Sequence, residues 1–362
     1  MGKLMVIVGG QYGSEGKGAV VSHLARTEPG MVLGVRVGGS NAGHTAYDPD
    51  GNRWPLRHIP VPMLYGNPGL IAAGSEIDLP VLRDELSRLT EAGLTDADHL
   101  LIDSQATVVE EWQIEEEHGQ GLTQRIGSTG KGVGAARAAR IQRRALLPGD
   151  VPWKVGEPDF TDGAESIRTA LAEGYTVIIE GTQGYGLGLH AGFYPFCTSA
   201  DCRAIDFLSQ AGVCPWWPEV TKFEVWVVLR TYPIRVAGNS GPLKHETTWE
   251  NLRQQSGGYI QAEQTTVTQK TRRVGDWDQG LATRALEANG VGAYQIVNYA
   301  GVLRREPVVQ VALTMFDYWH PDERNETVLR PKHEAQIVGM ESTLNAQIGL
   351  VGTGPDTMVD RR

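Results

Sequence analysis

The sequence predicts an α/β fold, a single large domain built around a mainly parallel central sheet. Three observations lead to this fold class. Apolar runs of strand length alternate along the chain with segments of helical periodicity. Glycine-rich loops directly follow several of the apolar runs, as expected where a strand passes into a helix. The chain also contains no internal repeat and no low-complexity linker, so residues 1–362 are expected to form one domain with long functional loops.

Local patterns predict the individual elements. Strands are expected where apolar, often β-branched residues run together, and helices where apolar residues recur every three or four positions. The helical spacing is visible at Val81, Leu82, Leu86 and Leu89. The predicted strands are residues 4–8, 31–37, 70–73, 100–102, 176–179, 225–229 and 308–315, and the predicted helices are residues 19–26, 80–92, 132–144, 164–172 and 278–288. Ligands of such sheets bind where loops leave the carboxyl ends of the strands.

Composition excludes several classes of protein. A formal charge of −10 argues against a protein that binds nucleic acid directly. No segment approaches the roughly 20 consecutive apolar residues that a membrane span needs, so neither membrane nor nucleic acid is expected as a partner and the cytoplasm is the expected location. Cys197, Cys202 and Cys214 show no zinc-ligand spacing and suit a reducing compartment.

The first glycine-rich loop, residues 9–18, reads Gly-Gly-Gln-Tyr-Gly-Ser-Glu-Gly-Lys-Gly. Between a strand and a helix, such a loop lets backbone N–H groups approach phosphate oxygens, and Lys17 adds a positive charge. The loop differs from a Walker A motif because five residues separate Gly10 from Gly16 and Gly18 replaces the magnesium-binding hydroxyl. The pattern favours a phosphate site over a tight structural turn, the other interpretation of so many glycines.

Two more loops carry polar groups at predicted strand or helix ends. Residues 38–45 end a predicted strand and present Asn41, His44 and Thr45. A single histidine at such a place is as consistent with a structural role as with catalysis.

Residues 127–134 form a second glycine-rich segment that resembles an anion-binding nest. The predicted helix after it places Arg137, Arg140 and Arg144 on one face with Arg143 beside them, which for most of these arginines is a solvated basic surface.

A fourth cluster, residues 265–273, combines hydroxyls with three cations. Such chemistry suits a carboxylate ligand, which arginine clamps through two parallel hydrogen bonds. As an isolated pattern it is also typical of an ordinary basic surface loop.

In this order the four loops resemble those of the adenylosuccinate synthetase family. Further similar blocks are residues 180–184 (EGTQG), 194–199 (YPFCTS), 235–238 (RVAG) and 352–355 (GTGP), so the resemblance runs over nearly the whole chain. It implies a P-loop-NTPase-like fold and a ligase that joins L-aspartate to C6 of a purine nucleotide. In that reaction the 6-oxygen takes the γ-phosphoryl group of a nucleoside triphosphate, and the aspartate amine then displaces phosphate.

The resemblance also implies site residues and a partner subunit. His44 would stabilise the moving phosphoryl group, Ser14 stands at the catalytic-base position, and Ser14 and Gly43 are the expected Mg²⁺ ligands. The expected triphosphate and donor-nucleoside residues are Ser14, Glu15, Gly16, Lys17, Gly18, Gly43, His44, Thr45, Asp317, Gly352, Thr353 and Gly354. The expected nucleotide and aspartate residues are Asn41, Ser128, Thr129, Arg143, Gln183, Thr198, Val236, Thr266, Val267, Thr268, Lys270 and Arg272. Arg143 is expected to reach a 5′-phosphate across a homodimer interface.

Three departures from the family pattern bear on the substrate. Ordinary members carry Gly-Asp-Glu-Gly-Lys-Gly, in which the aspartate takes the N1 proton of IMP; here the residue is Ser14, and a neutral hydroxyl is not an equivalent general base. Lys270 replaces an arginine of bacterial members and lacks its planar fork. Asp317 stands in the block nearest to the one in which ordinary members read guanine, with an altered spacing.

The Asp-to-Ser change also resembles a viral branch of the family that makes N6-succinyl-2-aminoadenylate from dGMP. The leading hypothesis is therefore a ligase for dGMP and L-aspartate that uses ATP or dATP, with GTP as the alternative donor, in the host cytoplasm if the source is viral. One alternative is an ordinary adenylosuccinate synthetase that acts on IMP and tolerates Ser14. The other is a catalytically silent nucleotide-binding regulator.

Overall fold

The computed structural model describes residues 2–153, 157–264, 270–299 and 301–362. Within them the chain alternates strands and helices. The strands are β1 (Gly2–Gly9), β2 (Val32–Arg36), β3 (His44–Tyr47), β4 (Arg53–Leu56), β5 (Gly69–Ile71), β6 (Glu76–Ile77), β7 (Leu100–Asp103), β8 (Thr107–Val108), β9 (Asp159–Thr161), β10 (Thr176–Glu180), β11 (Val220–Arg230), β12 (Ile234–Arg235), β13 (Glu246–Thr247), β14 (Arg273–Gly275), β15 (Tyr294–Tyr299), β16 (Val302–Pro307), β17 (Val309–Thr314), β18 (Ile348–Gly352) and β19 (Met358–Asp360).

Helices connect and cover these strands. They are α1 (Lys17–Thr27), α2 (Leu79–Glu91), α3 (Glu111–Gly119), α4 (Leu122–Ile126), α5 (Val133–Ile141), α6 (Gly163–Ala172), α7 (Ala204–Gln210), α8 (Trp249–Gln255), α9 (Gln279–Ala288), α10 (Phe316–Trp319) and α11 (Pro331–Leu344). Single 3₁₀ turns lie at Val61–Tyr65, Ala97–His99, Pro148–Asp150, Tyr185–Leu187 and Pro321–Glu323. Among the described residues, no helix is both long and apolar enough to cross a membrane.

Within the described residues, a ten-stranded sheet forms the centre of the molecule, in the order β19-β18-β17-β11-β1-β10-β2-β5-β7-β9. Its neighbouring strands run parallel except for β18 and β19, which are antiparallel. The predicted fold class, an α/β domain with a large, mainly parallel sheet, is confirmed. Because β1 lies between β10 and β11, the loops that follow these strands meet at one edge of the sheet.

The alternation of side chains along β1 divides the core into two layers. Leu4, Val6 and Val8 face one hydrophobic cluster, whereas Met5 and Ile7 face the other, and all five are fully buried. Successive side chains of a strand point to opposite faces, so a continuous apolar run is what a strand needs when helices cover both faces of its sheet. This explains why β1 was predictable from its composition.

Each predicted strand and helix corresponds to an element of the structure, with one boundary corrected. The helix expected over residues 132–144 ends at Ile141, and Arg143 takes a left-handed backbone conformation with φ 62°. Arg143 and Arg144 therefore do not continue the helical face of Arg137 and Arg140. Elements that escaped prediction, such as α3 and the β15–β16 hairpin, are short or carry many exposed polar residues, which weakens their periodicity.

Truncation of Leu24, on the buried side of α1, should test how strongly this helix depends on the sheet. Leu24 is fully buried, so Leu24→Ala is expected to lower the free energy of unfolding by about 2–5 kcal/mol through lost burial and a residual cavity. Urea unfolding monitored by circular dichroism measures the loss. The control is Leu303→Ala on the exposed hairpin, expected to change stability by less than about 0.5 kcal/mol; equal losses in the two variants would contradict the packing assigned to α1.

Candidate active site

The main cleft of the described residues has a volume of about 1550 Å³ and opens at the carboxyl edge of the sheet. Most residues expected in the site line it. They are Ser14, Gly16, Lys17, Gly18, Asn41, Gly43, His44, Thr45, Ser128, Thr129, Gln183, Thr198, Val236, Lys270, Arg272, Asp317, Gly352 and Gly354. The four glycine-rich or basic loops are thus brought to one cleft, although they are widely separated in sequence.

Two groups of expected residues do not line the cleft, and a third group falls outside the described residues. Glu15 and Thr353 are fully buried behind its wall, and Thr353 donates its hydroxyl proton to the Glu326 carbonyl oxygen at 2.7 Å. Arg143 is exposed outside the cleft of its own chain. Thr266, Val267 and Thr268 lie outside the described residues.

The loop between β1 and α1 is built around the buried carboxylate of Glu15. This carboxylate accepts hydrogen bonds from the backbone N–H groups of Gln11 at 3.1 Å and Gly13 at 2.7 Å. It also pairs with the Lys17 ammonium group at 2.7 Å, and that ammonium donates to the Gln183 carbonyl oxygen at 2.6 Å. Glu15 therefore fixes both the path of the loop and the position of its cation.

Glycines allow the loop to take this path. Gly16 has φ 86° and caps the N-terminus of α1, a conformation that costs glycine little. A Cβ atom at Gly18 would stand 2.7 Å from the Thr45 carbonyl oxygen, so only glycine lets the first and second loops touch. Ser14 is exposed to the cleft and holds a left-handed φ of 56° without being glycine.

A buried pair of charges outside the loop explains how Ser14 is held. Arg230, at the end of β11, is fully buried and donates to the Ser14 carbonyl oxygen at 2.9 Å. Its guanidinium group also forms two hydrogen bonds to the Glu263 carboxylate, at 2.5 and 3.2 Å. The two parallel bonds fix the guanidinium plane, and with it the backbone of Ser14. Sequence reasoning missed both residues because nothing in their local pattern marks them.

His44 is oriented by a second buried carboxylate. Its Nδ1 lies 2.8 Å from Oε1 of Glu180, and the same oxygen lies 3.0 Å from the Arg36 guanidinium group. Burial alone raises the pKa of Glu180, but the charges of His44 and Arg36 outweigh it and lower the pKa to about 2. Because Glu180 is ionised, the histidine donates from Nδ1, which leaves Nε2 as its second ring nitrogen without a protein partner among the described residues.

Arg36 extends the same network to the second loop. Its guanidinium group donates to the Ala42 carbonyl oxygen at 2.8 Å and to the Arg57 carbonyl oxygen at 3.1 Å. Residues 41–44 are therefore tied to the end of β2 by a buried cation. Glu180 belongs to a block that the sequence resemblance had singled out, but its role and that of Arg36 were not predicted.

The second glycine-rich segment is already occupied by protein. The Glu117 carboxylate accepts hydrogen bonds from the backbone N–H groups of Gly132 at 3.0 Å and Gly134 at 2.9 Å, at the N-terminus of α5. The segment therefore has the backbone geometry expected of an anion-binding nest. The anion bound by the Gly132 and Gly134 N–H groups is the Glu117 carboxylate, so these two groups are not available to an external phosphate. Ser128 and Thr129 still face the cleft.

The basic residues after that segment also have assigned contacts. Arg137 pairs with the buried Glu76 at 2.6 Å, Arg140 donates to the Gln105 side chain at 3.1 Å, and the Arg144 guanidinium group lies 4.6 Å from the centre of the Trp112 ring. Burial raises the pKa of Glu76, while Arg137 opposes that rise. These arginines stabilise the protein surface and do not reach the cleft as ligands.

At the far end of the cleft, Asp317 is buried and accepts a hydrogen bond from the Tyr259 hydroxyl group. Burial raises the pKa of Asp317, and Arg324 packs over the Tyr259 ring at 4.8 Å. Gly352 and Gly354 line the same end. The Asp317 carboxylate, which was expected to recognise the base of the donor nucleotide, thus lies in the cleft. One of its oxygens accepts the hydrogen bond from Tyr259, a contact that the sequence did not reveal.

Comparison with known proteins identifies the family to which this site belongs. The family model for adenylosuccinate synthetase matches residues 6–155 and 153–318. The adenylosuccinate synthetase of Pyrococcus horikoshii is 33% identical over 366 residues, covering 99% of this chain and 98% of that protein. That of Thermococcus onnurineus is 32% identical, with the same coverage. The chain belongs to the adenylosuccinate synthetase family.

Solved structures agree with this assignment. The cyanophage S-2L succinoaminodeoxyadenylate synthetase (PurZ), bound to dGMP and to dATP as an energy donor, superposes with a TM-score of 0.78 at 27% identity, covering 100% of this chain and 96% of that chain. The fully ligated adenylosuccinate synthetase from Plasmodium falciparum superposes with a TM-score of 0.76 at 19% identity over the full length of both chains, which supports the fold. As a member of this family, the protein is a C–N bond-forming ligase of purine nucleotide biosynthesis.

Neutralising Glu180 should remove part of the pH dependence of the free energy of unfolding of this protein. Because the pKa of Glu180 in the folded protein lies below its ordinary value near 4.5, its carboxylate stabilises the fold above about pH 4.5, and this contribution disappears as the pH falls towards 2. Glu180→Gln should therefore cost up to about 3 kcal/mol at pH 7 and progressively less between pH 4.5 and 2. Thermal unfolding of both proteins across this range measures the difference.

The control for that series is Glu250→Gln, which removes the same charge from the exposed surface of α8. It is expected to leave the midpoint of unfolding unchanged at each pH. A loss of stability in Glu180→Gln that stays constant from pH 7 to pH 2 would show that the ion pairs of Glu180 are not its source.

Glu263→Gln should impair catalysis by loosening Ser14. The substitution removes the charge that holds the Arg230 guanidinium group, so the phosphate loop is expected to shift and kcat for phosphate release to fall about ten- to a hundredfold. Glu219→Gln is the matched control, since Glu219 pairs with Arg168 at 3.1 Å, neither residue lines the cleft, and the substitution should leave kcat unchanged. Equal kcat values for Glu263→Gln and the unsubstituted protein would rule out this positioning role.

Proposed function

We propose that the protein joins L-aspartate to C6 of dGMP with hydrolysis of ATP or dATP, giving N6-succino-2-amino-2′-deoxyadenylate, ADP or dADP, and phosphate. The observation that carries this proposal is Ser14. It stands in the phosphate loop at the position where ordinary members of the family carry the aspartate that takes the N1 proton of IMP. Its side chain is exposed to the cleft and carries no charge.

The other acidic side chains of the cleft support a change of substrate. Among the described residues these are Glu117, Glu180, Glu263 and Asp317. Glu117 accepts from backbone N–H groups, Glu180 pairs with His44 and Arg36, Glu263 pairs with Arg230, and Asp317 accepts from Tyr259. These contacts occupy at least one oxygen atom of each carboxylate, which leaves it less available to act on a substrate than an unpaired carboxylate. The carboxylate that suits IMP is therefore missing at position 14, and among the described residues of the cleft no unpaired carboxylate replaces it.

Guanine differs from hypoxanthine by a 2-amino group next to N1. A serine is shorter than an aspartate and can accept or donate a hydrogen bond without imposing a negative charge. This difference leaves space beside N1 for the amino group of dGMP. The ligands of the cyanophage relative, dGMP and dATP, agree with this choice of acceptor and donor.

The proposed reaction proceeds in two steps. N1 of dGMP loses its proton to solvent as the 6-oxygen attacks the γ-phosphorus, so that an O–P bond forms and the bond to the β-phosphate oxygen breaks as ADP or dADP leaves. The amine of aspartate then attacks C6 and loses a proton to solvent, and the C6–O bond breaks as phosphate leaves. Phosphorylation is needed because an unmodified 6-oxygen is a poor leaving group.

Residues of the cleft are suited to these steps. Lys17 and the loop N–H groups would bind the triphosphate. In the doubly protonated ring of His44, Nδ1 donates to Glu180 and Nε2 would donate to the transferred phosphoryl group, whose charge grows in the transition state. Asn41, Thr129, Gln183, Thr198 and Val236 would surround the acceptor nucleotide. Lys270 and Arg272 would bind the carboxylates of aspartate together with Thr266, Val267 and Thr268.

The cleft offers neutral oxygen donors for a magnesium ion, which would neutralise charge on the triphosphate. The Ser14 hydroxyl and the Gly43 carbonyl oxygen would hold it, and both residues line the cleft. Mg²⁺ prefers oxygen ligands and commonly keeps water and phosphate oxygens in its shell, so a site with few protein ligands fits the ion. We also propose a homodimer, in which the exposed Arg143 reaches the 5′-phosphate bound by the other subunit.

The second candidate function is an ordinary adenylosuccinate synthetase that acts on IMP with GTP. The archaeal relatives favour it, because adenylosuccinate synthetases at 32–33% identity cover almost the whole chain. It requires that the chemistry proceed with Ser14 in place of the aspartate.

Product formation with purified protein separates these candidates. Turnover with L-aspartate should be at least about tenfold faster for dGMP than for IMP, and faster with ATP or dATP than with GTP, because the site lacks the carboxylate that IMP requires. Ser14→Asp should lower turnover of dGMP and raise that of IMP. Phosphate release and mass spectrometry of the succinylated nucleotide measure both effects.

Ser209→Asp provides the control, since it adds the same charge at an exposed position of α7 outside the cleft lining and should change neither activity. Turnover of IMP with none of dGMP would overturn the proposal in favour of the ordinary synthetase. Absence of ADP formation with every purine monophosphate would instead indicate a catalytically silent nucleotide-binding regulator.

A further inference from the structure

A group of potential metal ligands lies outside the cleft, at the junction of α10 and α11. His320, Asp322 and His333 each offer one ligand atom, and these atoms lie within 4.8 Å of one another. The two imidazole rings are stacked with their centres 3.9 Å apart. None of these residues lines the cleft or has a role in the proposed reaction.

The hydrogen bonds of the two histidines select which nitrogen each presents. His333 is buried, and its Nδ1 donates to the carboxylate of Glu323, which is itself fully buried. Nε2 of His320 donates to the Gln336 side-chain oxygen at 2.7 Å. In the neutral rings the remaining lone pairs are therefore on Nε2 of His333 and Nδ1 of His320.

The Glu323–His333 pair is the kind of support that metal-binding histidines have. A ligand histidine commonly donates its second N–H to a carboxylate, which fixes the ring and increases its basicity. The outer oxygen of Glu323, Oε2, is buried without a partner among the described residues, so this carboxylate is not simply part of a satisfied ion-pair network. The inner oxygen, Oε1, also accepts the backbone N–H of Arg330 at 3.0 Å, so Glu323 fixes the His333 ring relative to the start of α11.

We infer that His320, Asp322 and His333 form a binding site for a divalent transition-metal ion such as Zn²⁺, with Glu323 as the supporting carboxylate. Two imidazole nitrogens and one carboxylate oxygen are a donor set that suits Zn²⁺. Water would complete the coordination. The site is distinct from the magnesium site proposed for the cleft.

Two cations compete for one of the ligands. Arg330 and Lys332 both contact Oδ2 of Asp322, and Lys332 does so at 3.2 Å. The ion would therefore bind the other oxygen, Oδ1, or displace the exposed Lys332 side chain. This competition predicts a site of moderate affinity that senses the concentration of the ion, as opposed to a permanently loaded structural centre.

The position of the site gives it a way to act on the cleft. His320 and His333 both pack on the Phe316 ring, with ring centres 4.8 and 6.0 Å away, and Phe316 precedes Asp317. In the segment between the histidines, Arg324 lines the cleft and the Asn325 N–H group donates to the Thr353 carbonyl oxygen at 2.8 Å. A bound ion would tie α11 to the segment that carries this end of the cleft wall.

Cobalt binding to the full chain without nucleotide tests the inference. Co²⁺ is a spectroscopic substitute for Zn²⁺, and one ion per chain is expected to give visible absorption bands that Zn²⁺ abolishes by competition. His320→Gln and, independently, Asp322→Asn should weaken binding at least tenfold, and Glu323→Gln should weaken it about ten- to a hundredfold. The first two residues are partly or fully exposed, so these variants are expected to fold, which circular dichroism checks.

The matched control is His99→Gln, because His99 and Asp96 form an exposed histidine–aspartate pair at 2.6 Å without a second histidine. It should leave cobalt binding unchanged. Zn²⁺ should also raise the melting temperature of the unsubstituted protein and of His99→Gln, but not that of His320→Gln. Absence of cobalt bands, or bands of equal intensity and affinity in His320→Gln and Asp322→Asn, would overturn the site whatever nucleotide the enzyme uses.

Discussion

The buried carboxylate of Glu15 is the interaction on which the cleft depends. It lies at the carboxyl edge of the sheet, where it accepts two backbone hydrogen bonds from its own loop and pairs with Lys17. A buried charge is stable only when its partners satisfy it, so removing any of them would leave the others unpaired. The loop is therefore held in one conformation before a phosphate arrives. The Lys17 ammonium group in turn reaches the Gln183 carbonyl oxygen, which ties the loop after β1 to the loop after β10.

Two further buried carboxylates repeat this arrangement around the cleft. Glu180 holds His44 and Arg36, and Glu263 holds Arg230, which in turn fixes the Ser14 backbone. Each network places a cation or a histidine at the edge of the sheet, and its carboxylate is paired with that group. Among the three departures from the family pattern, the neutral Ser14 side chain is the one that lies in the loop after β1, and the substrate proposal depends on this residue.

The far end of the cleft is stabilised by a different set of contacts. Asp317 and the segment of residues 320–326 are supported by α11, and the contact between Tyr259 and Asp317 closes this end. The inferred metal site belongs to the same support, so this end of the cleft wall and the loop of residues 9–18 are stabilised by separate sets of interactions. Changes at this end are therefore expected to leave the charges that hold Ser14 and His44 undisturbed.

The sequence by itself determined the fold class, the strands with continuous apolar runs and the glycine-rich loops, because these depend on local composition and periodicity. It also marked Ser14, Lys17 and His44 as cleft residues. Only the tertiary structure decided that Glu117 binds the backbone of the glycine-rich segment 127–134 and that α5 ends before Arg143. It alone also showed that Arg230 and Glu263 hold Ser14 and that Tyr259 contacts Asp317. The physical reason is distance along the chain: Arg230 lies 216 residues from Ser14, and Tyr259 lies 58 residues from Asp317. Contacts of this kind depend on how the strands are ordered in the sheet, which no local pattern contains.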